Sequence, residues 1–176
     1  MADSAAPSAQ WEIRRLAGRD EAVQCARMMA SLEPWITLRR DYEESLRVLL
    51  DPQRESYVAY QGGSLAGFLI LIMHGAFVGY IQTICVAPEA RSKGLGKKLI
   101  EFAEERIFRD TPNAFICSSS FNPRAQRLYE RLGYEVVGEL KEFIIPGHSE
   151  ILLRKTIGPL RGFNPTAANK SSRSSS

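Results

Sequence analysis

The chain has 176 residues, 44% hydrophobic and 24% charged, with a formal net charge of +3. That length supports one domain with a sizeable core, and the composition is that of an ordinary globular protein. A charge so near neutral leaves no electrostatic footprint for nucleic acid, so no nucleic-acid partner is expected.

Residues 1–10 are small and polar and are expected to be disordered; residues 11–160 carry the pattern of one folded domain; residues 161–176, with a Ser-rich end, read as a flexible tail. Residues 12–16 alternate polar and apolar, as a half-buried strand does. Asp20 is placed to cap a helix running to about residue 32, with Val23, Ala26 and Met29 or Ala30 inward. Asp41-Tyr42-Glu43-Glu44 has the form of a capping box, with Leu46, Leu49 and Leu50 behind it. Residues 56–60 and 65–73 are apolar runs flanking Gln61-Gly62-Gly63-Ser64, a hairpin signal. Residues 77–86 read as a strand, and residues 94–109 as a helix with Leu95, Leu99, Phe102, Ala103 and Ile107 on one face. A short strand at 114–119, a helix at 122–132 and two strands at 135–144 and 149–155, paired around Pro146-Gly147, complete the set. The fold class is α+β, with a mixed, mostly antiparallel sheet of about seven strands.

No basic segment followed by an apolar core opens the sequence, so no secretory signal is read. The longest apolar run, residues 65–73, is far short of the roughly 20 residues a membrane helix needs, and no membrane partner is expected. Cys25, Cys85 and Cys117 are far apart and show no Cys-x-x-Cys spacing. Buried reduced thiols in a cytoplasmic protein are the expectation, with no metal site.

One segment carries chemistry. The β-prone run that ends at Val86 stops at Pro88, and Arg91-Ser92-Lys93-Gly94-Leu95-Gly96 leads straight into a helix. Glycines let the backbone approach a ligand closely, and the new helix offers unpaired N–H groups and the positive end of its dipole. That order suits a diphosphate. A P-loop is excluded, because its first glycine would fall on Arg91 and its Ser/Thr on Lys98; a dinucleotide fingerprint would need a glycine at Leu99. Downstream, after one helix and one strand, comes Asn122-Pro123-Arg124-Ala125-Gln126-Arg127-Leu128-Tyr129-Glu130-Arg131-Leu132-Gly133-Tyr134.

The first segment resembles the acyl-CoA diphosphate loop, Arg-x-x-Gly-x-Gly, of the GNAT superfamily of N-acetyltransferases. The second is similar to that superfamily's Asn-x-x-Ala-x-x-Leu-Tyr-x-x-x-Gly-[Phe/Tyr] signature at every signature position. The resemblance runs from about Ile13 to Lys155 and implies a three-layer α/β/α arrangement whose signature strand and following strand splay apart to admit acetyl-CoA. It implies that the backbone of Cys85 and Val86 pairs with the pantetheine arm and that one amide there polarises the acetyl carbonyl. Main-chain amides across Arg91, Ser92, Lys93, Gly94, Leu95, Gly96 and Lys97 would hold the diphosphate, with the Arg91, Lys93 and Lys97 side chains adding charge. Asn122 would bond the pantetheine; it also suits the N-cap of its helix, and both roles can hold together. Tyr129 would serve as general acid toward the departing sulfur, against a plain packing role.

The general base is open. Some members carry a Glu on the signature strand, where this chain has Tyr80 and Gln82, and Gln82 can position a water but cannot take a proton. Glu33, in the loop where the family lines its acceptor site, is taken as the base, with His148, Glu150 and water as the other options. Glu33, Trp35, Tyr80 and Gln82 are the expected acceptor contacts, an aromatic and mildly acidic wall suited to a cationic amine. The implied activity is transfer of an acetyl group to a primary amine, on a small metabolite or a peptide, with a non-catalytic acyl-CoA sensor as the alternative. Exposed sheet edges of this fold often pair, which leaves a homodimer open.

Overall fold

A computed structural model describes residues 11–165, so the readings made for residues 1–10 and 166–176 lie outside the described residues. Seven strands form one sheet: β1 (Glu12–Arg15), β2 (Arg54–Gln61), β3 (Ser64–Ile72), β4 (Tyr80–Val86), β5 (Asn113–Ser119), β6 (Glu135–Leu140) and β7 (Glu150–Thr156). Their spatial order is β1-β2-β3-β4-β5-β7-β6, and every neighbouring pair is antiparallel except β4 with β5. Four helices cover the two faces: α1 (Arg19–Ala30), α2 (Tyr42–Leu49), α3 (Leu95–Ile107) and α4 (Pro123–Arg131).

Burial follows the alternation of the strands. Leu69 and Leu71 of β3 face a core with Leu95, Leu99 and Ile107 of α3 and Tyr129 of α4. Phe68 and Ile70 face the other core, against Cys25 and Met29 of α1 and Leu46 and Leu49 of α2. The sheet is therefore sandwiched in the three-layer manner expected.

Two irregularities in β4 position the site. Ile70 pairs with Thr83 and Leu71 with Ile81, so Gln82 is the extra residue of a β-bulge. The bulge flips the alternation: Ile81 packs toward α3, but after it Cys85 packs toward α1 and α2. The second irregularity is the parallel pairing itself. It is confined to Tyr80 with Phe115 and Ile81 with Ile116, so beyond Ile81 the two strands part and β4 keeps a free edge to Val86.

Local chemistry moved several expected boundaries. Helix α1 is entered from Gly18 rather than capped by Asp20; Glu21 takes the capping part, accepting from the Ala17 amide at 2.7 Å while Arg14 forks onto it. Asp41 does cap α2, accepting from the Glu44 amide at 2.8 Å, but Glu44 turns to Arg40 instead of closing the box. The strand expected from residue 77 begins at Tyr80. The strand expected to reach residue 144 ends at Leu140, because Glu142 takes φ +49° and accepts from the Gly147 amide, folding residues 141–149 into a loop. None of the helices among the described residues is long and apolar enough to cross a membrane.

Candidate active site

The parting of β4 from β5 opens two cavities that share a wall. The first, about 580 Å³, lies against the loop between β4 and α3 and is edged by Arg91, Ser92, Gly94, Gly96, Lys97 and Arg124. Gly94 holds φ +89°, a left-handed turn that a side chain would strain, and no side chain caps α3. Ser92 sits at φ +61°, its hydroxyl accepting from Arg124 Nη2 at 3.0 Å. Among the described residues the amides of Ser92 through Lys97 find no protein acceptor; the next, Lys98, closes the first helical bond to Gly94. Six consecutive N–H donors at a helix start, edged by basic side chains, form a seat for an anion.

The second cavity, about 680 Å³, opens between the loop around Trp35 and the hairpin of β6 and β7. Its floor is β4 and β5; Phe77, Phe143 and Ile144 stand at its exposed rim. Inside it Glu150 is 5% exposed and accepts from Ser119 Oγ at 2.6 Å. Burial raises the Glu150 carboxyl above the usual carboxylate range, the Ser119 bond only partly opposing. Gln82 Oε1 and Thr83 Oγ1 are buried here without a hydrogen-bond partner. Burial and the neighbouring Cys117 thiol push the Tyr80 phenol well up.

Pro34, Trp35, Ile84, Asn122 and Tyr129 line both cavities. Asn122 caps α4, its side chain accepting from the Ala125 amide at 3.2 Å behind Pro123 at the first helical position. Tyr129 is 8% exposed and its hydroxyl meets no protein partner among the described residues. Burial first, then the Glu150 charge, hold that phenol firmly protonated.

The structure thus brings together most of the residues read from the sequence and separates a few. Arg91 and Lys97 stand on the loop-side cavity, though Arg91 Nε donates back to the Val86 carbonyl at 3.3 Å. Cys85 and Leu95 bury their side chains in the two cores, so they offer only main-chain atoms. Lys93 is exposed, and its residue lines neither cavity. Trp35, Tyr80 and Gln82 line the hairpin-side cavity as read. Glu33 does not: it is exposed on the loop-side cavity and accepts from the Thr37 amide at 3.2 Å. Glu150 is the carboxylate that the hairpin-side cavity contains. Arg40 and Thr83 also line that cavity and were missed. Thr83 left a trace, since Gln82-Thr83 interrupts an apolar strand; Arg40 left none in its loop.

A splayed sheet with a main-chain anion seat at one end of the split defines the class. Residues 17–134 match the Acetyltransferase (GNAT) family, and the chain belongs to it. It is similar to the S-(2-succino)cysteine N-acetyltransferase of Bacillus subtilis (strain 168), 32% identical over 83 residues, 46% of this chain and 49% of that protein. The S-alkylcysteine N-acetyltransferase of the same organism is 33% identical over 94 residues, 51% of this chain and 49% of that protein. The chain thus spans about half the length of these curated relatives. The fold is shared with an aminoglycoside 6'-N-acetyltransferase complexed with coenzyme A, at TM-score 0.67 and 18% identity, over 84% of this chain and 98% of that one.

Proposed function

We propose that this protein transfers an acetyl group from acetyl-CoA to a primary amine by direct attack, with both substrates bound at once. The observation that carries this reading is the shared wall: the two cavities meet at Tyr129, whose hydroxyl has no protein partner among the described residues. Acetyl-CoA supplies the activated thioester when bound. The loop-side residues fit it. The amides from Ser92 to Lys97 hold the diphosphate, with Arg91, Lys97 and Arg124 adding positive charge. The free edge of β4 up to Cys85 and Val86 offers main-chain bonds to the pantetheine, and Asn122 bonds it from across the split.

The chemistry then belongs to the chain's own groups. A primary amine with pKa about 10 is mostly protonated at neutral pH and must lose a proton to attack. Glu150 takes it, directly or through one water. Its raised pKa brings it nearer the operating pH, which suits a base. The amine nitrogen bonds the acyl carbon, the carbon–sulfur bond breaks, and Tyr129 gives its hydroxyl proton to the departing sulfur; the second proton that the nitrogen sheds on becoming an amide passes to solvent, and the Tyr129 phenolate takes a proton back from solvent. A β4 amide steadies the negative charge that develops on the acyl oxygen. Two relatives named as N-acetyltransferases of cysteine derivatives support an amine acceptor. The sensor alternative rested on the lack of a strand carboxylate, and Glu150 reaches the cavity from β7 instead.

Tyr129→Phe tests the reading. Thiol release in the presence of an amine should fall about 10- to 100-fold in kcat, while coenzyme A affinity measured by calorimetry stays within twofold. An unchanged kcat in this variant removes Tyr129 from the chemistry.

A further inference from the structure

We propose that the acceptor is an amino acid with an apolar side chain, its amine seated among Gln82, Thr83 and Glu150 and its carboxylate on Arg40. The proposal rests on the transferase reading above and adds to it the chemical class of the acceptor. Among the described residues the hairpin-side cavity holds one anionic side chain, Glu150, and one cationic side chain, Arg40. Tyr80 lines the same cavity as both. A cavity with one charge of each sign matches a small molecule of the same kind.

The amine end is marked independently. Gln82 Oε1 and Thr83 Oγ1 are buried polar atoms that the protein leaves without a partner, and Thr83 is only 4% exposed. Buried acceptors without donors are rare, and a primary amine brings N–H groups in the number required. Glu150, on β7, lines the same cavity, with one carboxylate oxygen accepting from Ser119 Oγ at 2.6 Å.

The anion end is Arg40. Its backbone amide donates to the Trp35 carbonyl at 3.0 Å, which fixes it in the loop against the cavity. Its Nε faces the half-buried Glu44 at 3.5 Å, and the guanidinium fork keeps its other donors. Such a fork matches a carboxylate with two parallel bonds. A polyamine would bring a second cation toward Arg40, and a plain alkylamine would leave the remaining donors of its fork unused. Phe77, Phe143 and Ile144 at the rim supply apolar surface for the side chain.

The test titrates protein saturated with coenzyme A with matched pairs: L-phenylalanine against phenethylamine, and L-methionine against 3-(methylthio)propylamine. The amino acid of each pair should bind at least about tenfold more tightly than its decarboxylated amine. Arg40→Gln should erase that preference without altering coenzyme A affinity, and Arg40→Lys should restore part of it. Equal or tighter binding of the decarboxylated amines, a preference that survives in Arg40→Gln, or binding of neither member of each pair overturns the proposal. Thiol release from acetyl-CoA is followed in parallel. A binding preference that holds without release from any amine sustains the carboxylate seat and sinks the transferase reading. Release with the decarboxylated amines alone sinks the acceptor class and keeps the transferase.

Discussion

The two cavities are built in opposite ways. The loop-side cavity takes its ligand-facing groups from one stretch of backbone, the amides of Ser92 through Lys97, braced by α4 through Arg124 and Ser92. The hairpin-side cavity draws its groups from distant segments: Trp35 and Arg40, the β4 bulge, Ser119, and Glu150 on β7. The first works by main-chain geometry, which glycines and a helix start dictate. The second works by side-chain identity, which only the tertiary fold brings into one place. Chemistry that must be common to many acceptors can sit in the first, and chemistry that selects one acceptor belongs in the second.

The largest effect expected is on the main-chain side. A Cβ at Gly96 would meet only Leu128 Cδ2 at 3.6 Å and Val86 Cγ2 at 4.0 Å, ordinary contacts. The glycine is therefore not demanded by internal packing. Gly96→Glu should place a carboxylate at the α3 start, where the dipole favours it, so thermal stability should hold or rise slightly. The same carboxylate fills the anion seat and should weaken coenzyme A binding by about a thousandfold or more. Calorimetry beside a melting curve separates the two quantities. Unimpaired coenzyme A affinity in a folded Gly96→Glu protein would break the contrast between the cavities.

On the side-chain side, Glu150→Gln keeps the shape of the residue and its contact to Ser119 and removes only the ionisable group proposed as the base. The expected loss in kcat is about a hundredfold, with coenzyme A affinity unchanged. Its pH behaviour adds a second reading. Burial makes the folded protein hold the Glu150 proton more tightly than the unfolded chain. Stability is then fullest below the ordinary carboxylate pKa and declines as pH rises through it toward the folded value. Activity needs the ionised form, so it should rise over the same window. In Glu150→Gln both the decline in stability and the acid limb of the kcat profile should vanish. An acid limb that persists unchanged in Glu150→Gln assigns the base to another group.

The same contrast explains how far the sequence could be read. Hydrophobic patterning together with cap and turn signals located every β-strand and α-helix of the described residues, and the loop with its flanking elements was legible because its chemistry is contiguous. Boundaries slipped where a local device overruled the pattern. Glu21, tied down by Arg14, replaced Asp20 at the entry to α1, and a left-handed Glu142 cut β6 short at Leu140. The bulge at Gln82 left no mark in composition, yet it decides which β4 side chains face the hairpin-side cavity. Arg40 and Glu150 are far apart in sequence and carry no motif, so their meeting in one cavity is a property of the fold alone.

Glu33 is the sharpest place to set sequence against structure, and it should give the smallest effect. Loop position recommended it as the base, but the side chain is exposed on the loop-side cavity and its Oε2 accepts from the Thr37 amide at 3.2 Å. A glutamine at that position can still accept the same bond, so Glu33→Gln should leave stability within about 0.5 kcal/mol. With the acceptor nitrogen in the hairpin-side cavity, as proposed, Glu33 lies outside its site, so kcat should change less than about twofold. The comparison with Glu150→Gln is made in one assay, at saturating acetyl-CoA and a fixed amine. If Glu33→Gln instead loses activity by tenfold or more and Glu150→Gln does not, proton removal occurs on the coenzyme side of Tyr129. The division of labour between the two cavities would then have to be drawn the other way.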